Sequence, residues 1–580
     1  MLIKLKIENL KCLGSAEIEL GRAVVFVGPN NSGKTTALQA IALWHLGLKT
    51  WVARHGAKPS AKERTGVTLN RRDLIALPVP NASLLWLDRH VRQGQRDNGA
   101  KKSPNILIRI TVSGILQSQQ WEQGFEFDYA NPESIYCRPI GDLNDETLNR
   151  LTKLAEFIRV AFLPPMSGLA SVEPKIEPGR VAVLIGEGQT AQVLRNLCHG
   201  VASADAAEIS WESIVGNLKQ LFGVELLRPE FNATRGEIEM RYRSERDIDL
   251  DISSAGRGLQ QTLLLLAYLY ANPGATVLLD EPDAHLEILR QRQIYDRISQ
   301  VALEKGSQII AATHSEVVLQ QAAGRDTVIA FIGKPHRIND QAHQLRKALA
   351  EIGFEHYMYA EQQGWVLYLE GTTDLAILKT LAARLNHPAA SVLESAYVDF
   401  VESNTPPTAR DRFFGLREAK ANLVGLALFD RLDRPMDLLA QPAALTELCW
   451  QRREVESYFV TRSSLIAWAT RDLDGWDLFS KAEAERRTNA MNASIVELEN
   501  AIQVQGKPSP WSGDLKVSDE FLTPLFANYL RRLGLDESVM RKKSYYELAA
   551  TIPLEEIDPE VTTMLDAIVS AKSRASPSEG

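Results

Sequence analysis

The sequence predicts an α/β fold in two domains, and three observations carry that expectation. Near the N-terminus an apolar strand runs into a glycine-rich turn and a helix. Strand–helix alternation returns at 252–332 after a long excursion. A second strand–turn–helix opens at residue 365. A chain of 580 residues also exceeds what one compact domain holds.

The elements follow in order. IKLKIENL and SAEIEL alternate as half-buried strands do, and AVVFVG is apolar throughout, as a strand covered on both faces is. TTALQAIALWHLGL is the helix after the turn. Residues 51–110 are polar and basic, broken by Pro78 and Pro80, and SPNILIRITVSG is a further strand. A helical pattern over about 145–160 ends at the Pro/Gly stop of LPPMSGL, more helix follows at 190–222, and EIEMRYR alternates as a strand. The stretch from about 100 to 245 thus reads as a helical insertion, an arm for dimerisation. Then come a helix over Leu259–Ala271, the strand TVLLDEP, a helix over about 285–304, and the strands QIIAATH and TVIAFIG. The first domain is expected over 1–350, a polar linker over 351–362, and a second domain over 363–572. That domain opens with WVLYLEG and TTDLAILKTLAARL, continues through LVGLALFD, and ends in helices before a disordered tail at 573–580.

Composition narrows the class. Hydrophobic residues make up 45% and charged residues 24%, as in ordinary globular proteins. The net charge of −8 excludes a uniformly basic nucleic-acid coat but leaves room for a local basic groove. Cys12, Cys137, Cys198 and Cys449 are scattered without a CxxC pair, which fits a reducing compartment and gives neither a disulfide framework nor a zinc site. The alternating N-terminus is unlike a signal peptide, and no run of about 18 apolar residues offers a membrane span. The expected location is the cytoplasm, with no membrane partner.

The strongest motif is Gly28-Pro-Asn30-Asn31-Ser32-Gly33-Lys34-Thr35, with Thr36 next, set between strand and helix. Its glycines let backbone N–H groups wrap phosphates, and the helix start adds a positive dipole end. Lys34 then reaches the β- and γ-phosphates of ATP while the Thr35 hydroxyl holds Mg2+. Downstream, the apolar strand VLL ends in Asp280-Glu281: Asp280 serves magnesium through water, and Glu281 polarises the attacking water. His314 closes the next strand, where it can sense the γ-phosphate. Ahead of these, Ser253-Ser254-Ala255-Gly256-Arg257-Gly258 opens an apolar helix, so Ser254, Gly256 and Gly258 form a second anion cradle. The phosphates of one copy are already held by its own P-loop.

In the second domain the strand WVLYL ends in Glu370, a glycine turn follows, and Asp374 lies near the helix start. Another apolar strand ends at Asp430, with Asp433 close behind. Carboxylates at the ends of neighbouring parallel strands converge on one crevice. All-oxygen donors suit Mg2+ or Mn2+, and ions so held activate water in phosphodiester cleavage.

The order P-loop, long insertion, Ser–Gly cradle, acidic pair, histidine resembles the ABC/SMC-like ATPases, although the cradle departs from their LSGGQ. The resemblance implies a head-to-head homodimer, or a higher oligomer, in which the cradle of one subunit closes over ATP on the other. Glu370, Asp374 and Asp430 resemble the acidic set of a Toprim domain. The whole chain is similar to the OLD (overcoming lysogenization defect) family of ATP-dependent nucleases, helped by LPPMSGL and by Arg452-Arg453-Glu454-Val455-Glu456-Ser457-Tyr458. That likeness implies a place for Glu456 near the metals and a lysine, Lys542 or Lys543, that assists an oxygen. The family's DxD departs here, since Leu432 holds the second position and the acid comes at Asp433. It further implies DNA as substrate, antiphage defence, and a partner protein encoded nearby, such as a helicase-like protein, a reverse transcriptase or another effector. Arg71-Arg72, Arg89-His90-Arg92, Lys101-Lys102 and Arg410-Arg412 are candidate phosphate contacts.

Two readings follow. In one, an ABC-type ATPase dimer controls metal-dependent DNA cleavage by the Toprim-like domain. In the other, that domain is inactive and the chain is an ATPase sensor or scaffold for a separate effector.

Overall fold

The computed structural model describes residues 1–56, 66–92, 105–166, 169–204, 207–244, 247–323, 325–338, 354–432, 444–473, 478–535 and 540–577. The chain divides into two compact units, Met1–Ala350 and Glu351–Ser578.

Two sheets frame the first unit. Strands β1 (Leu2–Leu10), β2 (Leu13–Glu19), β4 (Val67–Asn70), β5 (Ile108–Leu116), β6 (Gln119–Asn131) and β7 (Ser134–Pro139) form an antiparallel sheet in the order β2-β1-β5-β6-β7-β4. The other sheet is built on β3 (Ala23–Val27) and β8 (Val160–Leu163). Five short strands intervene, β9 to β13 (Glu225–Leu226, Glu230–Asn232, Glu237–Glu239, Arg241–Arg243, Asp249–Asp251), before it continues through β14 (Thr276–Asp280), β15 (Gln308–Thr313), β16 (Thr327–Ala330) and β17 (His336–Arg337). Its order is β17-β16-β3-β15-β14-β8, parallel except for β17. Every residue of β14 and β15 is buried, which explains why they read as unbroken apolar runs. Helix α1 (Lys34–His55) fills the space between the sheets with Leu38, Ile41, Trp44, Leu48 and Trp51. The buried amide of Gln308 stitches the sheets together: Oε1 accepts the Leu2 N–H at 2.9 Å, and Nε2 donates to the Leu2 and Gly21 carbonyls at 2.7 Å each.

The expected insertion over 100–245 is not uniformly helical. Residues 108–139 hold three consecutive strands of the antiparallel sheet, β5, β6 and β7, as their alternating burial dictates. The helix expected through about 160 stops at Phe157 (α2, Asp145–Phe157). There Ile158 turns extended, and the chain becomes β8, paired in parallel with β14. Helices α3 (Pro178–Gly186), α4 (Leu194–Ser203) and α5 (Ala207–Phe222) make up the helical part. Helices α6 (Arg257–Ala271), α7 (Ile288–Glu304) and α8 (Glu316–Ala322) follow.

The second unit holds a parallel sheet in the order β19-β18-β20-β21, from β18 (Trp365–Leu369), β19 (Val398–Phe400), β20 (Val424–Phe429) and β21 (Leu445–Cys449). Two expectations need correction. The linker over 351–362 is partly helix (Phe354–Gln363), with Tyr357 and Ala360 buried and Glu361 in a buried ion pair with Lys420 at 3.0 Å. The tail expected from 573 begins as packed chain: Ala575 lies against the core, and the backbone of Ser576 crosses Gly364 so closely that a Cβ there would meet it at 2.5 Å. Among the described residues no helix is long and apolar enough to cross a membrane.

Candidate functional site

β3 and β14 are not neighbours. β15 lies between them, and all three end at one edge of the sheet. That order puts the turn after β3, the acids after β14 and the histidine after β15 side by side. Gly28 (φ 154°) and Gly33 (φ 98°) take left-handed backbone, and a Cβ on Gly28 would stand 2.7 Å from the Phe331 carbonyl. Asn31 is left-handed too (φ 64°), while Asn30, Asn31 and Thr35 are exposed at the mouth. Lys34 Nζ bridges the turn, donating to the Gly28 and Pro29 carbonyls at 2.8 Å each. Ser32 Oγ is buried and Thr36 packs into the helix beside Cys12.

Thr35 Oγ1 lies 3.0 Å from both oxygens of Asp280, so residues 245 positions apart share one point. Burial lifts the Asp280 carboxyl to about 6, opposed by the Thr35 hydroxyl and Lys34. A hydroxyl and a carboxylate so placed match the oxygen preference of magnesium. Glu281 adopts a left-handed backbone (φ 49°), uncommon for a residue with a side chain, and its N–H donates to the Ala312 carbonyl at 2.8 Å. Its Oε1 stands 3.7 Å from His314 Nδ1, and both side chains reach solvent.

Asp283 was given no role by sequence. It is buried and accepts the Thr313 hydroxyl at 2.6 Å, while Thr313 Oγ1 accepts the Ser315 N–H at 2.9 Å. Through this chain the turn after β14 is locked to the turn that carries His314.

Ser253, Ser254, Gly256 and Arg257 are exposed at the start of α6. Gln260 holds the turn from inside, donating to the Ile252 and Ala255 carbonyls at 3.0 Å each. Gly258 sits against Leu286 and the His285 carbonyl, so the second cradle and the turn after β14 touch.

In the second unit, β18 and β20 are adjacent and parallel, and Glu370, Asp374, Asp430 and Val455 line one small cavity at their ends. Asp374 accepts the Gly371 N–H at 3.1 Å as a helix cap, and burial raises its carboxyl to about 6. Asp430 Oδ1 accepts the Val455 N–H at 3.1 Å. Burial, then the charges of Asp374, Glu370 and Glu454, push Asp430 up to about 8. Glu456 is buried and raised by burial, with Glu454 and Asp430 adding to it. Of the two candidate lysines, Lys542 acts on Asp374 and Glu454; its Nζ stands 3.8 Å from Asp519. Lys543 is exposed.

The sequence assigns no role to two residues of this crevice, Glu454 within the Arg452–Tyr458 stretch and Lys516. Glu454 is buried and receives both the N–H and, at 2.8 Å, the hydroxyl of Ser518. Lys516, whose charge reaches Glu454 and Glu370, lies in a stretch with no motif. Asp433, Lys101-Lys102 and Ser167-Gly168 lie outside the described residues. Of the expected phosphate contacts, Arg410 and Arg412 turn inward. Arg410 pairs with buried Glu447 at 2.7 Å and Arg412 with buried Asp399 at 2.6 Å, because those acids need a counter-charge. Arg71 pairs with Glu133 at 3.0 Å.

The donor set of the crevice is all carboxylate, and the like charges that add to burial in raising Asp430 are of the kind a divalent cation relieves. Among the described residues, however, no three acidic, imidazole or thiol groups already stand where one ion could touch them all.

Comparison with known proteins bears on the first unit. The family described as "AAA ATPase domain" matches residues 1–45, and the one described as "AAA domain, putative AbiEii toxin, Type IV TA system" matches residues 200–320. No curated protein matches the sequence. Among solved structures, the SMC head domain from Thermotoga maritima is 14% identical, covering 58% of this chain and 99% of its own, at a TM-score of 0.31. The Smc head of Pyrococcus furiosus, with an extended coiled coil and bound to the C-terminal domain of ScpA, is 16% identical over 61% of this chain and 99% of its own, at 0.35. The two matched AAA segments contain the P-loop, the Ser–Gly turn, Asp280, Glu281 and His314, so this site is of the AAA ATPase type.

Proposed function

We propose that the chain is an ATP hydrolase whose site is completed by the Ser254–Gly256 turn of a second copy, and that it governs metal-dependent DNA cleavage at the acidic crevice of the second unit. The observation that carries the ATPase half is the meeting of Thr35 and Asp280 at 3.0 Å beside Lys34. Lys34 and the turn's N–H groups hold the triphosphate, and Thr35 with Asp280 holds its magnesium. Glu281 orients the attacking water, and His314 opposite it faces the phosphate that leaves. Exposure of the Ser–Gly turn supports a second copy as its destination.

For the nuclease half, support comes from Glu370, Asp374 and Asp430 lining one cavity at the ends of adjacent parallel strands. Glu370, Asp374 and Asp430, with Glu456 beside them, are the carboxylates that would have to draw together to hold the ion. A bound divalent ion supplies an activated water and neutralises charge on the phosphodiester. Lys542 and Lys516 bring positive charge to the same rim, where a DNA phosphate would lie. An antiphage role and a partner encoded nearby rest on resemblance to the OLD family.

The second reading, an ATPase scaffold with an inactive second unit, is favoured by one observation: Glu454 is already engaged by Ser518. Purified protein with plasmid DNA and Mg2+ or Mn2+ separates the two. Nicking or linearisation that Glu370→Ala and Asp430→Ala abolish, while ATP turnover continues, supports cleavage. Turnover without cutting, under every nucleotide and metal condition, would leave the scaffold.

A further inference from the structure

The helical segment between the P-loop and the Ser–Gly turn has no part in the chemistry above, yet one side chain fastens it to that turn. Arg195, second in α4, is 2% exposed. Its Nη2 donates to Asp251 Oδ1 at 2.8 Å, and its Nη1 to the Ser171 carbonyl at 2.9 Å. The same Asp251 oxygen accepts the Ser253 N–H at 2.8 Å, and the Asp251 carbonyl accepts the Ser254 hydroxyl at 2.7 Å. A single carboxylate oxygen therefore joins a buried guanidinium on the insertion to the turn carrying Ser254 and Gly256.

The start of α4 is itself fixed. Glu173, 1% exposed, accepts the Arg195 N–H at 2.9 Å through Oε2, and the Asn196 N–H and side-chain amide at 2.6 and 2.7 Å through Oε1. α4 packs on α6, the helix that the turn opens. Since Ser253, Ser254 and Gly256 are exposed, burial does not set where they stand. Gln260 holds the turn from the α6 side and the Arg195–Asp251 pair from the insertion side. A charge-assisted bond from a buried, planar donor fixes direction as well as distance.

We propose that Arg195 is a positioning residue for ATP hydrolysis: through Asp251 it sets the Ser254–Gly256 turn so that the turn of one copy meets the triphosphate on another. This rests on the composite-site reading above. It also gives the helical insertion a function, because whatever displaces α4 displaces the turn.

The test is complementation between copies. Arg195→Ala is expected to leave the KM for ATP within about twofold, since its own P-loop is intact, and to lower kcat roughly a hundredfold, the scale of a misplaced positioning group. Arg195→Lys keeps the charge without the fork and should recover only part of the loss. Lys34→Ala is inactive for the opposite reason. In an equal mixture, about half the dimers pair the P-loop of the first variant with the turn of the second. Each such dimer has one whole site, so up to about a quarter of the wild-type rate should return. Ser254→Arg mixed with Lys34→Ala is the control. Recovery in both mixtures supports the proposal. Recovery in the control alone overturns it, and silence in both overturns the composite site and this proposal together. Asp251→Asn, which retains the bond to Ser253 while dropping the charge, carries the same test if Arg195→Ala does not fold; a wild-type rate in Asp251→Asn also overturns the proposal.

Discussion

Asp280, Asp430 and Glu173 are three carboxylates withdrawn from water, and each is compensated differently. Asp280 has a hydroxyl and a lysine, Asp430 has one backbone N–H among like charges, and Glu173 has three N–H donors around both oxygens. Burial outweighs those donors and raises Glu173 to about 7. Its proton is therefore bound more tightly in the folded chain than in the unfolded one. Stability falls as pH rises from the unfolded value near 4.5 through about 7, then levels off. Denaturant midpoints at pH 5 and pH 8 should differ in that direction, by at most about 3 kcal/mol. Glu173→Gln should flatten the slope, and an unchanged slope would show that Glu173 does not titrate with folding. At this scale the sequence was legible where a residue's spacing implies its chemistry. Lys34, Thr35, Asp280 and His314 meet because each ends or follows a strand of one sheet. Glu454 stands in the Arg452–Tyr458 stretch, yet the resemblance marks only Glu456 for the metals, and Lys516 comes in on a stretch that no motif marks.

At the scale of elements, the turn after β3 leaves no room for a side chain at Gly28. Gly28→Ala would set a methyl against the Phe331 carbonyl in a backbone region that side chains avoid. The expected cost is about 1–3 kcal/mol of stability, together with loss of fluorescent-nucleotide binding in a titration. Retained affinity would mean that the turn can re-form. The strands on which the site stands were readable because burial on both faces forces unbroken apolar runs at β3, β14 and β15. The spacing of Leu154, Ile158 and Phe162 continues the helical pattern of α2, but Ile158 turns extended and Val160–Leu163 pair with β14 instead. Tertiary pairing decided that boundary, as it did for the packed residues beyond Ser573.

For the whole molecule, the two units carry separate acidic sites, and separate ligands should report on them. Relative to Mg2+ alone, ATP with Mg2+ is expected to raise the unfolding temperature of wild type and of Asp430→Asn, but not of Lys34→Ala. Mn2+ alone should raise it in wild type and Lys34→Ala, and not in Asp430→Asn. At a hundredfold excess over Kd, each shift corresponds to about 2.7 kcal/mol. A Mn2+ shift that survives Asp430→Asn would place the ion elsewhere.

Among the described residues β3 pairs with Ile309–Thr313 and Thr327–Ala330, so the apolar AVVFV strand is made some 286 residues (309 − 23) before its first strand partner. At ~5–20 residues per second, that is roughly 15 to 60 seconds on the ribosome with a sticky segment unpaired. Such a nascent chain is a natural client for a holding chaperone, and nucleotide cannot assist its folding until translation has passed residue 330.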